Sequence, residues 1–358
     1  MAEMDPLAAL PAPSSQTYES TAMSLTERAL SLKEALAPAA PPAPKPLRPS
    51  KERLPVATAV DPAQVLPAAQ APAAAVGPKE AEDEKAKAPA PQAPTVHENF
   101  DGGKDTNVSI PPDTAGAVGP NHVFNPLNNE IFVFDRVGAL QQNVTLDAFW
   151  NAFHPNVSTF DPRAVFDPFE GRFYFATMAN FGEPSSSLLV AVSDTDDPTG
   201  LWHTLRIQVD DSTQGKVWLD YPTLGFSNDK ITIQVNTFLR SGNKFTGSTV
   251  YVFDKASFLN PPHTPAVATF VLPNQGGTQV PATTYDAALS EQYLVSRWSN
   301  DINGRGALAI FKVSGSVAGG TAAIARLGFV VGSRAWQSFS PADFAPQNGT
   351  TRRLDCGD

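Results

Sequence analysis

From about residue 110 onward, short apolar blocks separated by polar turn residues return on a fixed beat. Ile131-Phe132-Val133-Phe134-Asp135-Arg136 is echoed by Leu189-Val190-Ala191-Val192-Ser193-Asp194, by Val250-Tyr251-Val252-Phe253-Asp254-Lys255 and by Leu308-Ala309-Ile310-Phe311-Lys312-Val313. Counted from Phe134 through Val192 and Phe253 to Phe311, the steps are 58, 61 and 58 residues. Prolines keep the same register: Pro162, Pro222 and Pro281 stand 60 and 59 residues apart, each 30 or 31 residues ahead of its apolar block. Short β-branched and aromatic runs bounded by Gly, Pro, Asp and Asn are strand signals, and their repetition at this period marks a radial array of small sheets.

Between the markers the pattern predicts four strands per repeat. The clearest unit runs Pro162 to Asp167, Gly171 to Ala179, Leu188 to Asp194 and Leu201 to Val209, with turn residues between. The next is Pro222 to Phe226, Lys230 to Phe238, Thr249 to Asp254 and Ala266 to Leu272. A third is Pro281 to Tyr285, Gln292 to Trp298, Ala307 to Val313 and Ala322 to Val331. A shorter unit opens at Pro112-Asp113-Thr114 and takes in His122 to Leu127, Glu130 to Arg136 and Leu140 to Leu146. The expected fold class is therefore all-β: a β-propeller of four-stranded antiparallel blades, about four of them present. Ser340 to Asp358 reads as the start of a fifth, so the ring is expected to be truncated at its C-terminus, with an exposed blade edge that self-associates.

Composition separates this region from what precedes it. Before residue 98 lie 17 of the 34 prolines, long Ala/Pro runs and only one aromatic residue, Tyr18. Such a stretch cannot bury enough apolar surface to offset chain entropy, so residues 1–98 are expected to be a disordered linker and residues 99–358 a partial propeller domain. Within the linker, Ser24-Leu25-Thr26-Glu27 has the capping-box pattern and opens a short helix near 24–37. The net charge of −10, without a basic cluster in the β region, argues against nucleic acid as a partner. No stretch approaches the ~18 apolar residues of a transmembrane segment. Met1 to Ser15 carries Glu3 and Asp5 and lacks a basic n-region, so no signal peptide is present in the sequence as given. The single cysteine, Cys356, excludes an internal disulfide framework.

Four motifs carry a family resemblance: Pro111-Pro112-Asp113-Thr114-Ala115-Gly116-Ala117-Val118-Gly119-Pro120-Asn121-His122; Asp161-Pro162-Arg163-Ala164-Val165-Phe166-Asp167 with Gly171-Arg172-Phe173-Tyr174; Asp197-Pro198-Thr199-Gly200-Leu201-Trp202 after Val190-Ala191-Val192-Ser193; and Asp220-Tyr221-Pro222-Thr223-Leu224-Gly225. Over residues 99–358 the chain resembles a family of exported, uncharacterised bacterial β-propeller proteins. The resemblance implies a secreted or cell-surface location and transfers no activity. A more distant likeness is to arabinanase-like glycosidases, and the turn from Ser193 to Trp202 is loosely similar to the Asp-box of sialidases. The arabinanase-like mechanism takes as general acid a Glu in a Glu-Gly-Pro setting, a tripeptide absent from this sequence.

In a propeller the innermost strand of each blade starts on the face where the second strand ends, so these positions gather at one mouth of the channel. Asp113, Asp161 and Asp220 precede or begin innermost strands, with Gln279 near the matching place in the last blade. Three carboxylates at one rim suit a hard cation such as Ca²⁺, or an acid and base for glycoside cleavage if they stand ~5 to 9.5 Å apart. The competing reading is that each Asp caps its own turn. Second-strand ends supply Asn180, Asn236, Arg297 and Trp298, with Asn300 just beyond, as a candidate ligand-binding set in which Arg beside Trp forms a sugar platform. Strand alternation, however, sends Arg297 and Trp298 to opposite faces. The five histidines show no metal-ligand spacing, and neither a nucleophile elbow nor a phosphate loop is present. The leading expectation is a non-enzymatic secreted or surface binding module for polysaccharide or an extracellular protein. The alternatives are a glycoside hydrolase or lyase using the rim aspartates, and a truncated fragment without function.

Overall fold

The computed structural model describes residues 14–17, 64–66, 96–104, 109, 111–209, 216–273, 275–302, 305–333, 345–346 and 353–354. The helix expected near 24–37 and Cys356 fall outside them. A first strand, β1 (Ser14–Thr17), is followed by four sheets of four strands each. Blade 1 is β2 (Ala117–Val118), β3 (His122–Pro126), β4 (Glu130–Asp135) and β5 (Leu140–Thr145). Blade 2 is β6 (Thr159–Asp167), β7 (Arg172–Ala179), β8 (Ser187–Ser193) and β9 (Trp202–Gln208). Blade 3 is β10 (Val217–Phe226), β11 (Lys230–Leu239), β12 (Phe245–Asp254) and β13 (Ala266–Pro273), with β1 added at its outer edge. Blade 4 is β14 (Val280–Pro281), β15 (Gln292–Ile302), β16 (Arg305–Ser314) and β17 (Ala323–Val331). A two-stranded ladder, β18 (Ala345–Pro346) with β19 (Arg353–Leu354), falls where a fifth unit was expected to open.

Within each blade the strands pair antiparallel in chain order. The first strands lie side by side from blade to blade, β2 against β6, β6 against β10 and β10 against β14. The fold is thus an all-β propeller, with first strands innermost. Its core lies between blades, because strand alternation sends successive side chains to opposite neighbours. On β8, Leu188, Val190 and Val192 join a cluster shared with blade 3, while Leu189 and Ala191 join one shared with blade 1. A third cluster joins Val250, Val252 and Phe270 of blade 3 to Leu294, Phe311 and Phe329 of blade 4. Burial on both faces is why these strands read as continuous apolar runs.

The inner strands begin earlier than the prolines suggest: β6 opens at Thr159 and β10 at Val217. Pro162 and Pro222 are bulge residues, not strand starts. Phe160 pairs with Met178 and Arg163 with Ala176, leaving Asp161 and Pro162 opposite Thr177 alone. Asp220 pairs with Asn236 and Thr223 with Gln234, leaving Tyr221 and Pro222 opposite Val235. A bulge is where a strand tolerates a residue with no N–H to give to the ladder.

Two short helices occupy connections that lack a readable helical period. Leu146–Asn151 (α1) is capped by Thr145, whose side chain accepts from the Ala148 N–H at 3.1 Å, and it drives Phe149 and Trp150 into the core. Lys255–Leu259 (α2) is capped by Asp254, which accepts from the Ser257 N–H at 2.8 Å. Its first residue, Lys255, is buried: Nζ donates to Asp167 Oδ2 at 2.7 Å and to the Ser227 carbonyl, tying the β6–β7 turn of blade 2 to blade 3. Among the described residues no helix is long and apolar enough to cross a membrane.

Candidate functional site

The bulges shape the rim around the inner strands. Asp161 and Tyr221, the first bulge residues of β6 and β10, adopt φ of +55° and +52°, and Asp113 and Thr278 take +45° and +57° at the entries to blades 1 and 4. Left-handed backbone at non-glycine residues costs of order 1–3 kcal/mol and persists only where its surroundings hold it. At this rim each blade holds the next. Asn128 donates through Nδ2 to Asp113 Oδ2 at 2.5 Å and to the Pro111 carbonyl at 3.1 Å, while its Oδ1 accepts from the Asp161 N–H at 2.7 Å. Asp161 Oδ2 in turn accepts from the Tyr221 N–H at 3.2 Å. Asn236 repeats the relation between blades 3 and 4, with Oδ1 accepting from the Thr278 N–H at 2.8 Å and Nδ2 donating to Thr278 Oγ1 at 3.0 Å.

The predicted acidic residues therefore do not share one environment. Asp161 is 4% exposed and Asp220 0%, while Asp113 is only half-buried. Asp161 sits inside its bulge, whereas Asp220 precedes the bulge of its strand and faces Asn236 in the ladder. One position along a strand reverses the side chain, so the sequence alignment on Asp misses the structural equivalence on Pro. Among the described residues no group of three or more His, Cys, Asp or Glu side chains is gathered as a metal ion requires.

The binding set also separates. Asn180, at the end of β7, accepts from the Ser158 N–H at 3.1 Å and donates to Ser185 Oγ at 3.0 Å, pinning its own blade. Asn236 is 5% exposed and engaged with Thr278. Trp298 is a core residue, packed edge-on against Phe329 with the Arg326 guanidinium over its ring, while Arg297 on the other face is exposed. Asn300 lies on β15, its side chain outside the described residues.

What the rim offers to solvent is a pair that the sequence reading did not assemble. Tyr221 is 42% exposed, and the Arg163 guanidinium lies 5.2 Å from its ring centroid, with Arg163 Nε donating to the Pro222 carbonyl at 3.1 Å. The signal was present, since Arg163 and Tyr221 both flank the repeating prolines. Which of the flanking side chains turns outward depends on the bulge.

No protein-family model matches this chain, and no curated protein matches it. Solved structures do. A GH43 endo-arabinanase from Bacillus licheniformis is 15% identical, covering 64% of this chain and 80% of that one at a TM-score of 0.34. An exo-β-1,3-galactanase from Clostridium thermocellum is 10% identical, covering 58% and 47% at 0.34. An exo-1,5-α-L-arabinanase from a bovine ruminal metagenomic library is 13% identical, covering 61% and 77% at 0.31.

Proposed function

We propose that the propeller is a non-enzymatic binding module that takes a glycan at its inner-strand rim, displayed outside the cell as the family resemblance implies. The observation that carries this reading is at the rim: of the three aspartates, Asp161 and Asp220 are buried and Asp113 is half-buried and held by Asn128, while the Tyr221 ring is exposed with the Arg163 guanidinium over it. A general acid must reach the leaving oxygen of its substrate. Asp161 instead holds the backbone of the next blade. A partly exposed aromatic ring with a guanidinium over one face suits a sugar, whose apolar C–H groups pack against the part of the ring left open while its hydroxyls find hydrogen-bond partners.

The test is a polysaccharide panel scored by thermal shift and by reducing-sugar release in the same wells. A stabilising glycan, no product, and binding weakened roughly 2- to 12-fold by Tyr221→Ala are expected, since a stacked ring contributes roughly 0.5–1.5 kcal/mol. Sugar release abolished by Asp161→Asn or Asp220→Asn would replace this reading with a glycosidase.

A further inference from the structure

The outer strand of a blade presents a row of backbone donors and acceptors to any chain that can pair with it. In blades 3 and 4 the molecule's own N-terminal region lies along that strand. Ser14–Thr17 pairs antiparallel with residues 266–269 of β13. Val65 forms a parallel bridge with Phe329 on β17, and the Leu66 N–H donates to the Phe329 carbonyl at 2.7 Å.

The second contact has a prepared seat. Arg326 lies with its guanidinium 5.6 Å from the Trp298 ring centroid and 5.1 Å from that of Phe329. From there Nη1 donates to Gln275 Oε1 at 3.0 Å and Nη2 to Gln64 Oε1 at 3.2 Å. Next to it β17 is bulged, Arg326 pairing with Phe311 and Gly328 with Ile310, so that Leu327 is the extra residue. Gly328 has φ +143°, and a Cβ there would stand 2.4 Å from the Gln64 carbonyl oxygen. The edge has no side chain where the incoming backbone crosses it. The segment is also bounded, because Pro62 and Pro67 flank Gln64-Val65-Leu66 and a proline has no N–H with which to extend a ladder.

We propose that residues 64–66 are an edge clasp: a short segment of this chain that bridges to the outer strand of blade 4 at Phe329 and closes that edge to a second copy. The bulge, the glycine and the arginine on one side match the polar-apolar-apolar run Gln64-Val65-Leu66 on the other. The contact is a single parallel bridge made in cis, on the same edge groups through which sheets take extended peptides.

The test uses the full chain and a Gln64→Ala/Leu66→Pro variant, which removes the Arg326 partner and the Leu66 donor without touching the propeller. Hydrogen exchange in peptides spanning 323–331 is expected to rise roughly fivefold, the equilibrium effect of losing about one net hydrogen bond. Sedimentation velocity is expected to show the variant self-associating at concentrations where the parent is a single species. A peptide of residues 61–69 added in excess reverses both changes. Unchanged exchange, or raised exchange with an unaltered association state, overturns the clasp.

Discussion

Replacing Lys255 with Met tests whether blades 2 and 3 are joined by a buried ion pair. Lys255 and Asp167 are 2% and 0% exposed, and their Nζ–Oδ2 separation is 2.7 Å. The carboxylate is further satisfied by the Tyr174 hydroxyl, which donates to Oδ2 at 3.0 Å, and by the Phe169 N–H, which donates to Oδ1 at 2.9 Å. Burial, and after it the neighbouring Asp167, pushes the Tyr174 phenol well above its ordinary range, so it remains a donor. The Lys255 ammonium lies 5.2 Å from the Phe226 ring centroid. Lys255→Met removes the cation but leaves the carboxylate in place, and stranding one partner of a buried pair costs about 3–5 kcal/mol. For a domain of this size that lowers the melting temperature by roughly 10 °C. Asp167→Asn strands the ammonium and carries a similar cost. Because neither charge remains in the double variant, Asp167→Asn/Lys255→Met should be more stable than the sum of the single losses by at least about 2 kcal/mol. Equilibrium denaturation of the four proteins gives the cycle. A single-variant loss below about 1 kcal/mol, or strict additivity, would refute the reasoning.

Two further outcomes follow from buried groups. Burial, followed by the Arg206 charge, lowers the pKa of His154 to about 4, and the ring lies against Trp150 with Nε2 3.2 Å from Thr204 Oγ1. The unfolded chain binds this proton below its ordinary value near 6.5 and the folded chain does not, so the contribution is complete above about 6.5 and is lost as pH falls toward 4. The loss is at most about 3 kcal/mol, and His154→Gln should remove that part of the pH dependence from stability measured between pH 4 and 7. Gly225 lies where the inner strands of blades 3 and 4 meet, and a Cβ there would stand 2.6 Å from the Pro281 carbonyl oxygen. Gly225→Ala should destabilise by about 1–3 kcal/mol in denaturant unfolding, whereas neutrality would mean that blade 4 shifts freely against blade 3.

The repeat was legible because burial on both faces leaves little choice of residue. Phe134, Val192, Phe253 and Phe311, which set the beat, occupy β4, β8, β12 and β16, the third strand of every blade, and all four are buried. Prolines 162 and 222 were equally visible, yet their meaning was not, because a proline that starts a strand and one that sits in a bulge look alike in sequence. The difference decides the site, since Asp161 lies within its bulge and corresponds to Tyr221, whereas Asp220 lies one position earlier and corresponds to Phe160. Helices of six and five residues are too short to show a period, so the sequence pattern reached only their first residues, Leu146 and Lys255, and placed those in strand segments. Lys255 stood in sequence only as the last residue of the block that opens at Val250. Only the approach of Asp167, 88 positions earlier, makes it internal.

The hydrogen bonds handed from blade to blade bear on how such a chain can be re-engineered or duplicated. Residues 159–208 form one complete sheet, but Asp161 within it holds the Tyr221 backbone of the following sheet and is itself held by Asn128 of the preceding one. Grafting this stretch into another ring position would leave Tyr221 without the acceptor for its left-handed N–H and Asn128 without its donor. The exchangeable cassette is therefore wider than a blade: it must carry the asparagine upstream and the bulge downstream, so a swap made at the visible prolines would cut through the joints.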